Sequence, residues 1–119
     1  MNMIKNFPKN EAVQLRNMLM YSPGQSLTKT FVDTPDFSMI MHSLWHDGEM
    51  ILPADDRDIF ITCMEGALIV SLQNKELYIV RHKELYIVRQ GESLLIETDQ
   101  EYRIIAKQNC KFLIINTRD

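Results

Sequence analysis

The chain has 119 residues, of which 45% are apolar and 24% charged, and its formal net charge is −3. This length and balance indicate one globular domain with a single core, and the scattered Lys and Arg residues exclude a basic stripe for nucleic acid. No apolar run approaches the roughly 18 residues of a membrane span, and the first residues lack the pattern of an export signal, so we expect a cytoplasmic protein that contacts no membrane.

The N-terminal 24 residues are predicted to form an arm or short helix. Leu15, Met18 and Leu19 follow helical spacing, and Ser22-Pro23-Gly24 is a strong turn signal that ends this segment. Two cysteines, Cys63 and Cys110, are too few and too far apart for a disulfide framework or a paired-cysteine zinc site. We expect both to be reduced, buried thiols.

Residues 25–119 are predicted to form a single all-β domain. Short runs rich in β-branched and aromatic residues recur between Gly, Pro and Asn turn signals, which indicates a sandwich or barrel of antiparallel hairpins. The predicted strands cover 25–32, 37–45, 59–64, 67–72, the Leu-Tyr-Ile-Val stretches, 93–96, 102–106 and 111–115.

A tandem duplication interrupts this pattern. Residues 74–81 and 82–89 are identical at seven of eight positions, as Lys-Glu-Leu-Tyr-Ile-Val-Arg follows Asn74 and then His82. Since the period of eight is even, both copies would present the same faces, and either could fill one strand position. We expect the second copy, 85–88, to form the strand, because it leads directly into the next turn at Gly91.

The order of these features resembles the single-domain cupins over roughly residues 25–116. The resemblance rests on Gly48, a proline-containing loop, the run from Asp58 to Gly66, a hairpin, the run from Gln90 to Ile96, and residues 102–106. It implies a cupin-type double-stranded β-helix, or jelly-roll barrel, with a short N-terminal helix or arm.

The residues that hold a metal in cupins are replaced here. The first family motif runs glycine, five residues, His-x-His, three or four residues, Glu, six residues, glycine, and its outer glycines match Gly48 and Gly66. The glutamate position holds Ile59, and the His-x-His positions fall within residues 53–56, where no histidine occurs. Counted from Gly91, the histidine of the second motif is replaced by Tyr102. We therefore expect no metal and no other cofactor.

The resemblance places a candidate pocket inside the barrel. Ile59, Ile61 and Cys63 share one strand face, which the resemblance to cupins places inward. Tyr102 and His42 are the other predicted lining residues. Cys63 is expected to be an apolar filler, because no neighbouring cation would favour its thiolate. His42 and His46 lie about 13 Å apart on a strand and cannot jointly chelate one ion.

A charged loop is predicted just before this face. Asp55, Asp56 and Asp58 surround Arg57 there. A solvated loop explains them, although oxygen ligands for a hard cation are the alternative.

Three functions remain open at this stage, and the sequence does not decide whether the protein is an enzyme. The first is a metal-free domain that binds or senses a small organic molecule. The second is a metal-dependent isomerase or dioxygenase whose ligands come from His42, the carboxylates of residues 55–58 and Tyr102. The third is a structural dimerisation module. A homodimer is expected, with Val13, Leu15, Met18 and Leu19 covering a partner's sheet.

Overall fold

The computed structural model describes residues 3–75 and 81–118, and of residues 73–75 and 81–83 it describes the backbone alone. Nine strands make up almost all of its regular structure. They are β1 (Ser26–Asp33), β2 (Phe37–Leu44), β3 (Glu49–Leu52), β4 (Asp55–Glu65), β5 (Ala67–Lys75), β6 (Arg81–Arg89), β7 (Ser93–Thr98), β8 (Tyr102–Ala106) and β9 (Cys110–Thr117).

The strands form two antiparallel sheets that pack face to face as a jelly roll. The five-stranded sheet has the order β1-β2-β9-β4-β7, and the four-stranded sheet has the order β3-β8-β5-β6. Most strands fall where the alternation of apolar residues predicts them. Strand β3 was not predicted, because its four residues, Glu-Met-Ile-Leu, are too few to show a period of two and precede Pro53.

The main core lies between the two sheets. Inward residues of the five-stranded sheet, such as Ile61 and Phe112, meet inward residues of the four-stranded sheet, such as Val70 and Ile104, and all four side chains are completely buried. Burying one such side chain contributes roughly 1.5–3 kcal/mol, so this core is the main source of stability.

The turn from β4 into β5 requires the glycine that the sequence pattern singled out. Gly66 has a φ of +78°, and a Cβ atom at this position would lie 2.0 Å from the carbonyl oxygen of Asn109. A larger residue would therefore displace the backbone of the β8–β9 turn.

The N-terminal arm packs on the outer face of the five-stranded sheet of its own chain. The regular structure in residues 3–24 of this arm is a 3-10 turn at Leu15–Asn17, in agreement with the predicted arm or short helix. Leu15, Met18 and Leu19 contact a second apolar cluster that includes Met41. Among the described residues, no helix is long and apolar enough to cross a membrane.

Lys111 fastens this arm to the sheet. Its ammonium group donates a hydrogen bond to the carbonyl oxygen of Arg16 (2.7 Å), lies 3.6 Å from the Glu65 carboxylate and sits over the Tyr21 ring. The Tyr21 hydroxyl donates to the same carboxylate (2.5 Å). Three of the four apolar residues expected to cover a partner's sheet, Leu15, Met18 and Leu19, thus cover the sheet of their own chain.

The second copy of the duplication forms a barrel strand, as expected. Residues 81–89 pair with β5 over its whole length, from Lys75↔Arg81 to Ala67↔Arg89. Val88 faces the core, whereas Leu85 and Ile87 are exposed on the outer face. Residues 76–80 of the first copy lie outside the described residues.

Candidate functional site

The side chains of β4 that point into the barrel, which we call its inward row, change from apolar to charged along the strand. Cys63, Ile61 and Ile59 are at most 1% exposed and belong to the main core. The two preceding positions on the same face are Arg57 and Asp55, since alternate residues of a strand point to one side. The strand thus ends in a charged pair at one end of the barrel, which we call the barrel mouth.

The prediction of a solvated loop at residues 55–58 was wrong. These residues open β4, and Asp55 pairs in register with Thr98 of β7. The error arose because a run of carboxylates suggests solvent on every side, whereas here they alternate. Asp56 and Asp58 face solvent, and Asp55 and Arg57 are mostly buried.

The Asp55–Arg57 pair is held by several hydrogen bonds. The Arg57 guanidinium donates from Nη2 (2.8 Å) and Nε (3.0 and 3.2 Å) to the Asp55 carboxylate, and Asn116 donates from Nδ2 to Asp55 Oδ2 (3.0 Å). Arg57 Nη1 also donates to the carbonyl oxygen of Thr34 (3.4 Å). Hydrogen bonding from Arg57 lowers the pKa of Asp55, so this carboxylate is ionised at neutral pH.

Tyr102 lies at the same end of the barrel. It is the first residue of β8 and pairs with Leu52, the last residue of β3, from which the chain crosses through Pro53 and Ala54 to Asp55. Its side chain is 3% exposed. Burial is the largest cause of the raised pKa of the Tyr102 hydroxyl. The negative charge of Asp55 raises this pKa further, and the positive charge of Arg57 lowers it. The phenol is therefore protonated at neutral pH and cannot act as a base there.

A cavity of about 970 Å³ opens at the barrel mouth. It lies beside the ends of β4 and β7, where the pairing of these two strands changes register between Asp55 and Ile59. The β1–β2 turn and the ends of β7 and β9 complete its wall. The lining residues are Asp33, Thr34, Pro35, Pro53, Ala54, Asp55, Asp56, Arg57, Asp58, Glu97, Thr98, Asp99 and Arg118.

The sequence-predicted lining residues lie deeper than this cavity. Ile59, Ile61 and Tyr102 pack together in the main core, and none of them lines the cavity wall. Cys63 borders a separate surface hollow beside Leu15, and its thiol donates to the carbonyl oxygen of Glu65. Burial raises the pKa of Cys63, which keeps the thiol protonated. A pocket-lining role for these residues stays a prediction.

His42 faces the barrel interior. Its ring stacks on Phe112 at 5.3 Å between centroids, and Nδ1 lies 3.1 Å from the Thr28 hydroxyl. Burial lowers the pKa of His42 from 6.5 to about 4, so the ring is neutral near pH 7. His46 is exposed beside Asp47 in the β2–β3 turn, at the opposite end of the barrel.

Solved structures with the same architecture identify the fold. A conserved Streptococcus pyogenes protein of unknown function matches with a TM-score of 0.84 and 18% identity, over 100% of this chain and 96% of that one. A cupin superfamily protein from Desulfitobacterium hafniense matches with a TM-score of 0.81 and 14% identity, over 98% of both chains. The chain has the cupin fold.

A third match supports this cupin assignment. A cupin 2 conserved barrel domain protein from Leptotrichia buccalis has a TM-score of 0.80 and 16% identity, over 97% of this chain and 50% of that one. No protein-family model matches the sequence, and no curated protein matches it either. At these identities the structural likeness establishes the fold alone.

The inward residues at the mouth of this cupin fold do not fit a transition metal. The Asp55 carboxylate is already bonded to a guanidinium and an amide, and a cation would have to displace both. Tyr102 offers a protonated phenol, and His42 is held in the core. Among the side chains that the structure describes, those of residues 3–72 and 84–118, no group of three or more His, Cys, Asp or Glu is arranged to hold a metal.

The sequence analysis did not predict the polar side chains at the barrel mouth as a group. It considered Asp55 only as a ligand in the alternative metal site, and it proposed neither Arg57 nor Asn116, although the alternation of residues along β4 could have identified Arg57. Counting back by two from Ile59 reaches Arg57 and then Asp55, which places both on the inward face. Asn116 could not be found this way, because its contact with Asp55 spans 61 residues of the chain.

Proposed function

We propose that this cupin-fold domain binds a small organic molecule at the barrel mouth, without a metal. The observation that carries the proposal is the Asp55–Arg57 pair, held by Asn116 on the inward face and bordering a cavity of about 970 Å³. Sites for small molecules are typically clefts of about 300–1,000 Å³ with a few oriented polar groups.

The energetics of the pair support a binding role. A partly buried ion pair loses much of its Coulomb attraction to desolvation and is often no better for stability than apolar residues of the same size. The rest of the inward row of β4 is apolar, so packing alone does not require charges at Asp55 and Arg57. A pre-oriented guanidinium–carboxylate pair can, however, donate to and accept from a ligand at the same time.

Binding is better supported than catalysis. The titratable groups at the mouth are carboxylates, the guanidiniums of Arg57 and Arg118, and the protonated phenol of Tyr102. Both thiols are buried. Burial is the main cause that raises the pKa of Cys110 to about 12, and the neighbouring Cys63 also raises it. No nucleophile paired with a base lies at the mouth within the described residues, which fits a domain that binds or senses its ligand.

A fragment screen observed by amide NMR on the full chain tests this proposal. We expect hits to shift the amide signals of residues 54–58 and 97–99 and to bind at least about threefold more weakly to Arg57→Met. The matched control is Asp47→Asn, which removes a charge at the opposite end of the barrel and should leave binding unchanged. Hits that map only elsewhere, or no saturable hit, would refute the proposal.

A second candidate function is a homodimerisation module. The outer face of the four-stranded sheet exposes Leu85 (61%) and Ile87 (43%) on β6 and Ile51 (55%) on β3, and exposed large apolar side chains on one face are typical of interfaces. Light scattering tests it directly. We expect a dimer that Leu85→Glu converts to monomer, and a 14.0 kDa species alone would contradict the dimer. A cytoplasmic location stays a prediction.

A further inference from the structure

The Arg57 guanidinium keeps hydrogen-bond donors that the fold does not use. An arginine side chain carries five N–H groups and no acceptor. The Nε–H and one N–H of Nη2 donate to Asp55, and one N–H of Nη1 donates to the carbonyl oxygen of Thr34. One N–H on each terminal nitrogen therefore has no partner among the described residues.

These two N–H groups are available to a molecule in the cavity. Arg57 is a lining residue of the cavity, and 18% of its side chain is exposed although it belongs to the inward row of β4. Asp55 and Thr34 hold the guanidinium from two sides. Its orientation is thus set before a ligand arrives, so a ligand bonded to it loses little affinity to ordering the side chain.

The carboxylate of the pair has no comparable capacity left. Asp55 already receives four N–H groups, namely the backbone N–H (2.9 Å), Nε–H and one Nη2–H of Arg57 and one Nδ2–H of Asn116. A carboxylate offers about four lone-pair positions. A guanidinium–carboxylate pair can in general both donate and accept, but what this pair still offers to the cavity is its donors.

The two hydroxyl groups on the cavity wall do not add free donors. Thr34 Oγ1 donates to the carbonyl oxygen of Phe37 (2.9 Å), and Thr98 Oγ1 donates to the carbonyl oxygen of Gln100 (3.2 Å). The Arg57 guanidinium is therefore the mostly buried group of the wall that can still donate to a ligand.

The charge of the wall decides which kind of acceptor fits. Six carboxylates and only two guanidiniums line the cavity, so an anionic acceptor is repelled. An ammonium ion is attracted by these charges, but it has no lone pair for the Arg57 N–H groups. A neutral carbonyl oxygen accepts from them without carrying a charge. Pro35, Pro53 and Ala54 lie on the same wall and offer apolar surface to a compact carbon ring.

We propose that the barrel mouth binds a small neutral molecule through a carbonyl oxygen, as in an amide or lactam, that accepts the two remaining N–H groups of Arg57. The carbon skeleton of this molecule packs on the proline side of the cavity. This inference rests on the proposed function, because it names the class of molecule that the same site takes.

The test is an amide NMR titration of the full chain with three ring compounds of similar size. The lactam 2-piperidone is neutral and has a carbonyl group, piperidine is a cation at neutral pH, and cyclopentanecarboxylate is an anion. The titration is made at high salt, where general attraction to the carboxylates is screened. We expect saturable shifts at residues 54–58 and 97–99 with 2-piperidone, and at least about threefold weaker binding of the two charged probes.

A matched pair of variants tests the role of the guanidinium. Arg57→Lys keeps a positive charge beside Asp55 but removes the planar group with its two free N–H donors, and it should weaken 2-piperidone binding at least about threefold. Arg103→Lys makes the same change on the outer face of β8, where Arg103 pairs with Glu49 and does not line the cavity, and it should leave the affinity unchanged. Equal affinities in the two variants would overturn the inference.

The probe series on the unmodified chain gives an answer even if Arg57→Lys does not fold. Absence of saturable 2-piperidone binding, or equal or tighter binding of piperidine or cyclopentanecarboxylate at the same residues, would overturn the inference. Fragment hits at the mouth would in either case leave the proposed small-molecule site in place. No probe and no fragment binding at the mouth would overturn both proposals.

Discussion

The two halves of the inward row of β4 differ in what they contribute. Ile59, Ile61 and Cys63 fill the space between the sheets, and their role is packing. Arg57 and Asp55 continue the same row, but their side chains are 18% and 16% exposed and end at the cavity. One strand thus supplies stability at its centre and a polar site at its end. The predictions below test this division, from the largest expected effect to the smallest.

Ile59→Glu should strongly destabilise the protein. The carboxylate would enter a completely buried apolar position, so we expect a loss of at least about 4 kcal/mol in the free energy of unfolding. The matched control is Phe60→Glu on the outer face, which should lower stability by at most about 1.5 kcal/mol. Denaturant unfolding measures both.

The same substitution should not create a metal site, because no imidazole would join the new carboxylate. Elemental analysis after incubation with zinc checks this. A stable Ile59→Glu protein that takes up zinc tightly would contradict the division of β4 into core and mouth.

Acid should destabilise the protein through His42 before it acts on the mouth. The unfolded chain binds a proton at His42 below its ordinary pKa of 6.5, whereas the folded chain does so only near 4. The free energy of unfolding should therefore fall by about 3 kcal/mol as the pH drops from 6.5 to 4. His42→Gln should flatten this part of the profile and His46→Gln should not. An unchanged slope in His42→Gln would refute the assignment.

Arg57→Met should affect stability only moderately. It leaves the Asp55 carboxylate without its guanidinium, but the pair keeps some contact with solvent, so we expect a loss of about 1–2 kcal/mol. Asp56→Asn, which removes an exposed carboxylate paired with Arg118, should change stability by less than about 0.5 kcal/mol. A loss above 4 kcal/mol for Arg57→Met would make the pair a structural requirement.

The pH dependence of this pair should differ from that of His42. The pKa of Asp55 is lowered in the folded state, so its contribution is present above its unfolded pKa and is lost as the pH falls through the folded value. The stability contributed by Asp55 is therefore lost at a lower pH than the stability contributed by His42. Asp55→Asn should therefore alter the stability profile only below about pH 4.

Deleting residues 74–81 should have the smallest effect. The deletion joins Gln73 to His82 and leaves the pairing of Leu72 with Glu84 and of Leu68 with Val88 intact. We expect a folded protein with thermal stability equal to or above that of the full chain, measured by calorimetry. An unfolded product would show that both copies of the duplication are integral strands.

Periodic patterns predicted the fold better than the site. Eight of the predicted runs correspond to strands, because the alternation of apolar residues indicates directly which side of a sheet is buried. Gly66 was also predictable, since a positive φ in a tight turn demands glycine. The spacing of Gly48 and Gly66 supported the resemblance to cupins, and the structural matches confirm that fold.

The site was harder to predict because its geometry depends on tertiary contacts. The pairing of β4 with β7 changes register between Asp55 and Ile59, next to the cavity. No local residue pattern predicts this register shift. The hydrogen bond from Asn116 joins distant strands. Family spacing placed the replaced His-x-His positions within residues 53–56 without singling out Asp55, and Arg57, the other inward side chain, lies outside that range.

The metal content of the unmodified protein tests most directly the central claim, namely that the barrel mouth presents a hydrogen-bonded charged pair and binds no metal. Elemental analysis would be made on the full chain purified without chelators. The account predicts no stoichiometric Fe, Mn, Ni or Zn, because the Asp55 carboxylate is bonded to Arg57 and Asn116. One tightly bound transition metal per chain that is lost in Asp55→Asn would contradict it.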